Sequence, residues 1–197
     1  MPTRTAYFKN NMEYREFGRA RVRVSAIGMG TYFDGFQIAA SHILGWPGRE
    51  DKVAALRKGI ELGINLIDTA EIYNTEPLVA EAISGYKRES LFIATKVWRS
   101  HLKYNEVLKA ARRSLKKLRC NYIDLYQIHW PNTRAPIQET MKAMEKLVDD
   151  GKVRHIGVSN FSLPQMREAE EALSKYELVS NQVEYNLMVK DTTVGVY

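Results

Sequence analysis

YIDLYQIHWPNTRAPIQETMKAMEKLVDDGKVRHIGVSN, residues 122–160, is the stretch from which the fold is read. Its opening, Tyr122 to Ile128, is an apolar run of strand length. Ile137 to Asp150 reads as a helix, closed by Gly151, the residue type that often sits just past a last helical turn. Val153 to Val158 is a second short apolar run. A strand, a helix and a strand, with few polar residues inside the strands, predict a parallel β-α-β unit whose strands are covered on both faces.

The same rhythm extends in both directions. Upstream, Val22 to Met29 reads as a strand. Asp51 to Leu62 reads as a helix with Val53, Leu56 and Ile60 on one face, ended by Gly63. Ile64 to Ile67 is a strand, Glu76 to Ser84 a helix and Leu91 to Ala94 a strand. Asn105 is placed to cap a helix running to about Leu118. Downstream, Ser162 caps a helix from Leu163 to Ser174 with Pro164 in its first turn, and Leu178 to Val183 is a sixth strand. Arg15 to Arg21 suggests a small hairpin that plugs the floor of a barrel. Residues 35–50, with Gly35, Gly45, Trp46, Pro47 and Gly48, read as an irregular loop of a length that is often functional, as in lids, and this loop with Trp46 would close over a substrate. No Gly-rich linker divides the chain. The organisation expected is one α/β domain over residues 1–197: an N-terminal extension and hairpin (1–21), six β/α units (22–187) and a tail (188–197).

The unusual polar residues fall at strand ends. Asp68 ends the second strand, Lys96 follows the third, His129 ends the fourth, Ser159 and Asn160 the fifth, and Asn181 and Gln182 the sixth. A parallel barrel gathers these ends on one face, where such folds build their active sites. An open doubly wound sheet would gather them at a switch point. No Gly-x-Gly-x-x-Gly follows a strand, so a Rossmann cofactor site lacks support.

Composition narrows the function classes. The 197 residues are 45% apolar and 26% charged, enough for one core with an ordinary soluble surface. No run of 18 apolar residues occurs, and the polar start, Met1 to Met12, has no apolar stretch to serve as a signal peptide. Cys120 is the single cysteine, which fits a reducing cytoplasm. The net charge of +6 would attract anions, but the basic residues are dispersed. The densest cluster, Lys109, Arg112, Arg113, Lys116, Lys117 and Arg119, lies on a helical pattern and reads as a solvated face rather than a nucleic-acid surface. The four histidines, His42, His101, His129 and His155, have no metal-ligand spacing and there is no Cys-x-x-Cys, so no metal is expected. Neither a P-loop nor a Gly-x-Ser-x-Gly elbow is present.

Asp68, Tyr73, Lys96 and His129 together suit carbonyl reduction, which needs a hydride at carbon and a proton at oxygen. Tyrosine can supply the proton, and its pKa of about 10 falls beside a cation. Lys96 is such a cation, Asp68 can hold it, and His129 can donate to the oxygen where charge develops. Taken singly, each has a plainer reading: Asp68 as a helix cap, Tyr73 as a packed aromatic, Lys96 as a surface lysine, His129 as a core histidine. Four such groups at corresponding strand ends favour the catalytic reading.

At these residues the sequence resembles the aldo-keto reductases. Gly63-Ile-Asn-Leu-Ile-Asp68-Thr-Ala-Glu-Ile-Tyr73 is similar to the family's first signature. Ile93-Ala-Thr-Lys96-Val-Trp98, Tyr122-Ile-Asp-Leu-Tyr-Gln-Ile-His129-Trp130-Pro131, Gly151-Lys-Val-Arg-His-Ile-Gly-Val-Ser159-Asn160-Phe161 and Asn181-Gln182-Val-Glu-Tyr185-Asn186 follow in family order. The resemblance runs from about Met12 to Leu187. It implies a (β/α)8 barrel of the TIM type with NADPH, or NADH, at the strand C-termini and a small-molecule carbonyl substrate. Tyr73 would be the proton donor, with Asp68, Lys96 and His129 around it. Ser159, Asn160 and Gln182 would hydrogen-bond the nicotinamide carboxamide. Gly30, Thr31 and Tyr32 would also contact the cofactor, alongside Asp68, and Trp98 and Trp130 would line the substrate pocket.

The sequence also departs from that pattern. Six strands are counted where the family has eight, so an incomplete barrel lacking its last two β/α units is expected. The family's remaining part supplies an aromatic that stacks on the nicotinamide and the groups that hold the cofactor's phosphates. Open first and sixth strands would invite self-association. Two function classes follow: a reductase, and a catalytically incomplete or non-catalytic barrel acting as a binding module.

Overall fold

The computed structural model describes residues 12–188. Residues 1–11 of the extension, with the polar start, and residues 189–197 of the tail lie outside the described residues. Strands β1 (Tyr14–Glu16) and β2 (Arg23–Ser25) pair antiparallel as a hairpin. The chain then runs through β3 (Met29–Gly30), α1 (Gly35–Leu44), α2 (Arg49–Glu61), β4 (Leu66–Asp68), α3 (Glu76–Ile83), β5 (Phe92–Val97) and α4 (Tyr104–Leu118). It continues through β6 (Ile123–Ile128), α5 (Ile137–Asp149), β7 (Val153–Ser159), α6 (Leu163–Glu171) and β8 (Leu178–Gln182). The six strands β3 to β8 form one parallel sheet in sequential order.

The sheet is curled, not open. On a flat sheet, β4 and β8 would lie about 19 Å apart, four strand spacings of about 4.8 Å each. Yet Gln182 Nε2, on β8, donates to Asp68 Oδ2, on β4, at 3.2 Å. Helices α2 to α6 pack each against the next, and their apolar residues meet the outer face of the strands. Ile67, Ile93, Val97, Tyr126, Ile128, Ile156 and Val158 form that outer face and are fully buried. The inner face is different. Phe92, Ala94 and Leu125 fill its lower end against Val24 of the hairpin. Phe17, in the hairpin turn, sets its ring 5.1 Å from that of Phe92. An arc of parallel strands with helices outside and side chains filling the inside is six consecutive units of a (β/α)8 barrel.

A bulge in β8 decides which way Gln182 faces. Ile156 pairs with Leu178 and Val158 with Asn181, so β8 contains one residue more than β7 over this interval. The extra residue inverts the alternation, sending Asn181 outward to the Phe161 carbonyl at 2.8 Å and Gln182 inward. Opposite the bulge the interior is too crowded for a side chain on β7. A Cβ at Gly157 would lie well inside contact distance of Ser180 Oγ and 3.1 Å from both Gln127 Cγ and Leu125 Cδ1. Gly157→Ala is therefore expected to cost about 1–3 kcal/mol by overpacking. Thermal unfolding followed by circular dichroism should show a midpoint several degrees lower, and an unchanged midpoint would mean that β8 moves aside freely.

Three local readings change. Residues 35–50 are not one irregular loop, since α1 occupies 35–44. Asp34 caps it, its Oδ1 accepting the Gln37 N–H at 3.0 Å, and Gly45 ends it at φ +72°. The glycines thus bracket a helix. The run from Val22 to Met29 is not one strand. It breaks after Ser25, whose Oγ donates to the Ile27 carbonyl at 2.7 Å and whose N–H donates to Asn65 Oδ1, leaving only Met29 and Gly30 for the barrel sheet. Finally, α4 begins at Tyr104, before Asn105, because Glu139 of α5 accepts the Tyr104 N–H at 2.9 Å and replaces a local cap.

Candidate active site

The C-terminal ends of the strands open on a cleft of about 790 Å3. Asp68, Tyr73, Lys96 and His129 lie in its floor and wall, together with Tyr32, Trp98, Trp130, Ser159, Asn160 and Gln182. Alternation along the strands explains the convergence. Phe92, Ala94, Lys96 and Trp98 share the inner parity of β5 and its extension, as Leu125, Gln127 and His129 do for β6.

Lys96 is 1% exposed, so its cation must be satisfied inside the protein. Its Nζ donates to both carboxylate oxygens of Asp68 at 2.7 Å and to the Thr69 carbonyl at 3.0 Å. These use all three ammonium hydrogens. Burial pulls the Lys96 ammonium below its usual pKa, and Asp68 opposes that.

Tyr73 sits on a short 3-10 turn, Glu71–Tyr73, just beyond β4. Its hydroxyl is 3.2 Å from His129 Nε2. Tyr32 packs edge-on against its ring, with centroids 5.1 Å apart. Lys96 Nζ lies 5.3 Å from the ring centroid and gives its hydrogens to Asp68 and Thr69, not to the phenol. The expected lowering of the tyrosine pKa by Lys96 is absent. Burial, then Asp68 and Tyr32, push Tyr73 up to about 12. Burial of the phenol is the largest cause, and the nearby Asp68 charge adds to it.

His129 is held down to about 4, first by burial and then by Lys96, so its imidazole is neutral. Its Nδ1 is buried and has no hydrogen-bonding partner among the described residues. We assign the Nε2–H tautomer, because a proton on Nδ1 would be an unpaired buried donor. Nε2–H then donates to Tyr73 Oη. The tyrosine's own proton is left free to point into the cleft.

The remaining polar groups join the ends of β6, β7 and β8. Asn160, at φ +61°, a left-handed conformation that asparagine tolerates, turns back so that its Nδ2 donates to the His129 carbonyl at 2.9 Å and to Ser159 Oγ at 3.0 Å. Ser159 Oγ donates to the Gln182 carbonyl at 2.8 Å. Gln127 is a site residue that the strand-end pattern does not reveal: its Nε2 donates to Gln182 Oε1 at 3.0 Å and so orients the amide that reaches Asp68. A polar glutamine amid apolar strand residues was the available signal.

Not every expected residue lines the cleft. Thr31 is buried, and its hydroxyl is taken up by the Asp68 carbonyl at 3.1 Å and by Thr75 at 2.8 Å. Gly30 pairs with Asp68 in the sheet and has open space where a Cβ would stand. Trp46 does not close over the cleft. It packs on Phe33 and donates to the Asn74 carbonyl at 2.9 Å. From this neighbourhood the cleft receives Gly35 and Ile38 of α1, and Ile72 beside Tyr73 adds a further apolar wall.

The model of the aldo/keto reductase family matches residues 26–196. The chain belongs to that family. Among curated members, an aldo-keto reductase of Bacillus subtilis, YhdN, is 38% identical over 79% of this chain and 49% of its own length. The methylglyoxal reductase YeaE of Escherichia coli is 39% identical, covering 84% and 56%. The glyoxal reductase of Bacillus subtilis is 43% identical, covering 67% and 48%. An aldo-keto reductase from Klebsiella pneumoniae, crystallised with NADP and acetate, superposes with a TM-score of 0.77 at 36% identity, over 91% of this chain and 61% of that one. This aldo-keto reductase chain spans about half the length of the curated relatives it matches.

Proposed function

We propose that this aldo-keto reductase chain reduces small aldehydes or ketones to alcohols with NADPH, using Tyr73 as general acid. The observation that carries the reading is the Tyr73 hydroxyl, 3.2 Å from a neutral His129 and beside the pair of buried Lys96 and half-buried Asp68, in one cleft. The cleft's volume lies within the usual range for small-molecule sites, about 300–1,000 Å3.

The residues present fit a nicotinamide. Its carboxamide needs donors and acceptors, and Ser159, Asn160 and Gln182 offer hydroxyl and amide groups beside Lys96 and Asp68. Gly30, with open space above it, and Tyr32 would flank it, and the Thr31 side chain would act only by holding that segment. When bound, the reduced cofactor supplies the hydride. The protein residues do the rest. Trp98, Trp130 and Ile72 form apolar walls that orient a small carbonyl compound. The carbonyl carbon gains the hydride and its oxygen takes the Tyr73 proton, leaving a phenolate that solvent reprotonates. His129 Nε2–H shares the negative charge as it passes to the phenol oxygen. Lys96, fixed by Asp68, adds a positive field across the tyrosine ring. Relatives that are methylglyoxal and glyoxal reductases support a small, reactive carbonyl as substrate.

The purified protein mixed with NADPH and methylglyoxal should consume NADPH with saturation in both. Folded protein that neither binds NADPH nor consumes it would end this reading, while binding without consumption would assign a binding module. The pH profile adds a sharper expectation. Tyr73 must be protonated, and that state is lost only as pH rises towards about 12. His129 must be neutral, and that state is lost only as pH falls towards about 4. Since kcat/KM reports groups of the free enzyme, it should stay flat from roughly pH 6 to 9. An inflection inside that window that disappears in Tyr73→Phe would show that another group sets the tyrosine's acidity.

A further inference from the structure

Glu71 takes no part in the chemistry just described, yet it joins the turn carrying Tyr73 to the neighbouring segment after β5, which carries Trp98. Its side chain is 12% exposed. Oε2 accepts the backbone N–H of Trp98 at 3.0 Å and lies 3.1 Å from His101 Nδ1. Oε1 accepts from Arg113 of α4 at 2.7 Å. One carboxylate thus ties three pieces of chain: the 3-10 turn after β4, the loop after β5 and the middle of α4. Burial pushes its pKa up, but the Arg113, Trp98 N–H and His101 bonds together hold it below the usual range, so it stays charged.

The consequence lies on the far side of these backbones. The Trp98 ring stands edge-on to His129 with centroids 5.3 Å apart, and Tyr73 stands edge-on to His129 at 5.3 Å. Glu71, Tyr73, His129 and Trp98 therefore close a ring of contacts. Two of its links are side chains meeting in the cleft, and the link closing it from outside is the Glu71 carboxylate. We infer that Glu71 is a positioning residue: by fixing the Tyr73 turn against the Trp98 backbone, it sets the Tyr73–His129 contact through which the proton is delivered. The inference rests on the reductase reading for its effect on rate, but not for its effect on structure. Loss of the carboxylate leaves the Trp98 N–H without its partner and Arg113 without its anion, so the turn and the tryptophan are free to drift apart.

A misplacement of about 1 Å at a reacting group can cost about 100-fold. Glu71→Ala should lower kcat for methylglyoxal by about 10- to 100-fold with a smaller rise in KM, because the Trp98 and Ile72 walls loosen while Trp130 keeps its place. Glu71→Gln keeps an acceptor for the Trp98 N–H and should recover part of the loss. The second readout needs no turnover. The protein has three tryptophans, so labelling with 5-fluorotryptophan gives three fluorine resonances, of which Trp98→Phe and Trp46→Phe identify two. In Glu71→Ala the Trp98 resonance should shift while that of Trp46 stays in place. An unchanged kcat in Glu71→Ala, or an unmoved Trp98 resonance, overturns the proposal. So does a shift of all three resonances together, which would mark Glu71 as a general structural support. If the unaltered protein shows no turnover, it is the reductase reading that fails, and the Trp98 resonance alone decides the clamp.

Discussion

Tyr73→Phe is expected to lower kcat for NADPH-dependent reduction of methylglyoxal by about 1,000-fold, within the roughly 100- to 10,000-fold that a positioned acid supplies. That factor corresponds to about 4 kcal/mol of barrier. The substitution removes one oxygen and little else. The ring keeps its edge contacts with Tyr32 and His129. Among the described residues, the hydrogen bond lost is the 3.2 Å contact with His129 Nε2, worth about 1 kcal/mol in stability. Folding and KM should therefore change little, and steady-state kinetics beside a thermal melt will separate the two effects. The raised pKa strengthens the expectation. A phenol held near 12 is protonated at neutral pH and gives up its proton only to a stronger base, which the oxygen becomes as hydride reaches the carbon. A variant keeping a tenth or more of the parent rate would show that water or His129 delivers the proton, and the assignment of Tyr73 would be abandoned.

The barrel arc was legible in the sequence because its signals are local. Apolar runs of strand length, helices of 3.6-residue period and closing glycines at Gly63 and Gly151 each depend on near neighbours, and strand order follows from chain order in a parallel barrel. The convergence of Asp68, Lys96 and His129 was legible for the same reason: each ends its own strand, and the fold gathers strand ends. What stayed hidden depends on partners distant in sequence. The start of α4 is set by Glu139, 35 residues away. The break after Ser25 is set by Asn65. The orientation of Gln182 follows from a bulge opposite Gly157, and its amide is turned by Gln127. The acidity of Tyr73 is not legible in the sequence, because a charge pattern in sequence carries no geometry. Burial raises the phenol's pKa most and Asp68 adds to it, and neither effect can be read from a row of strand-end charges. Glu71 gives no signal in the sequence, since its three partners arrive from the loop after β5 and from α4.

Lys96→Met should produce the largest combined loss, in both stability and rate. The methionine fills nearly the same volume, so the change tests charge rather than packing. It leaves Asp68 without its cation and the Thr69 carbonyl without its donor. Removing one partner of a buried ion pair costs about 3–5 kcal/mol. Asp68 keeps some contact with solvent and retains the Gln182 amide, which places the expected cost near about 3 kcal/mol. For a chain of this size that is a fall of about 6–12 °C in melting temperature, at about 2–4 °C per kcal/mol. The rate should fall as well, by at least about 100-fold, because a lone carboxylate beside Tyr73 raises the cost of forming phenolate. A second substitution separates the two effects. Asp68→Asn together with Lys96→Met removes the stranded charge, so the double variant should be more stable than Lys96→Met alone by about 1–2 kcal/mol. It should remain slow, since the positive field is still absent. If the double variant recovers rate along with stability, Lys96 is a structural counter-ion to Asp68, and the field that aids proton transfer must come from elsewhere. If it recovers stability alone, the pair has two separable roles: Asp68 keeps the lysine charged in a buried place, and the lysine charge eases loss of the proton from Tyr73.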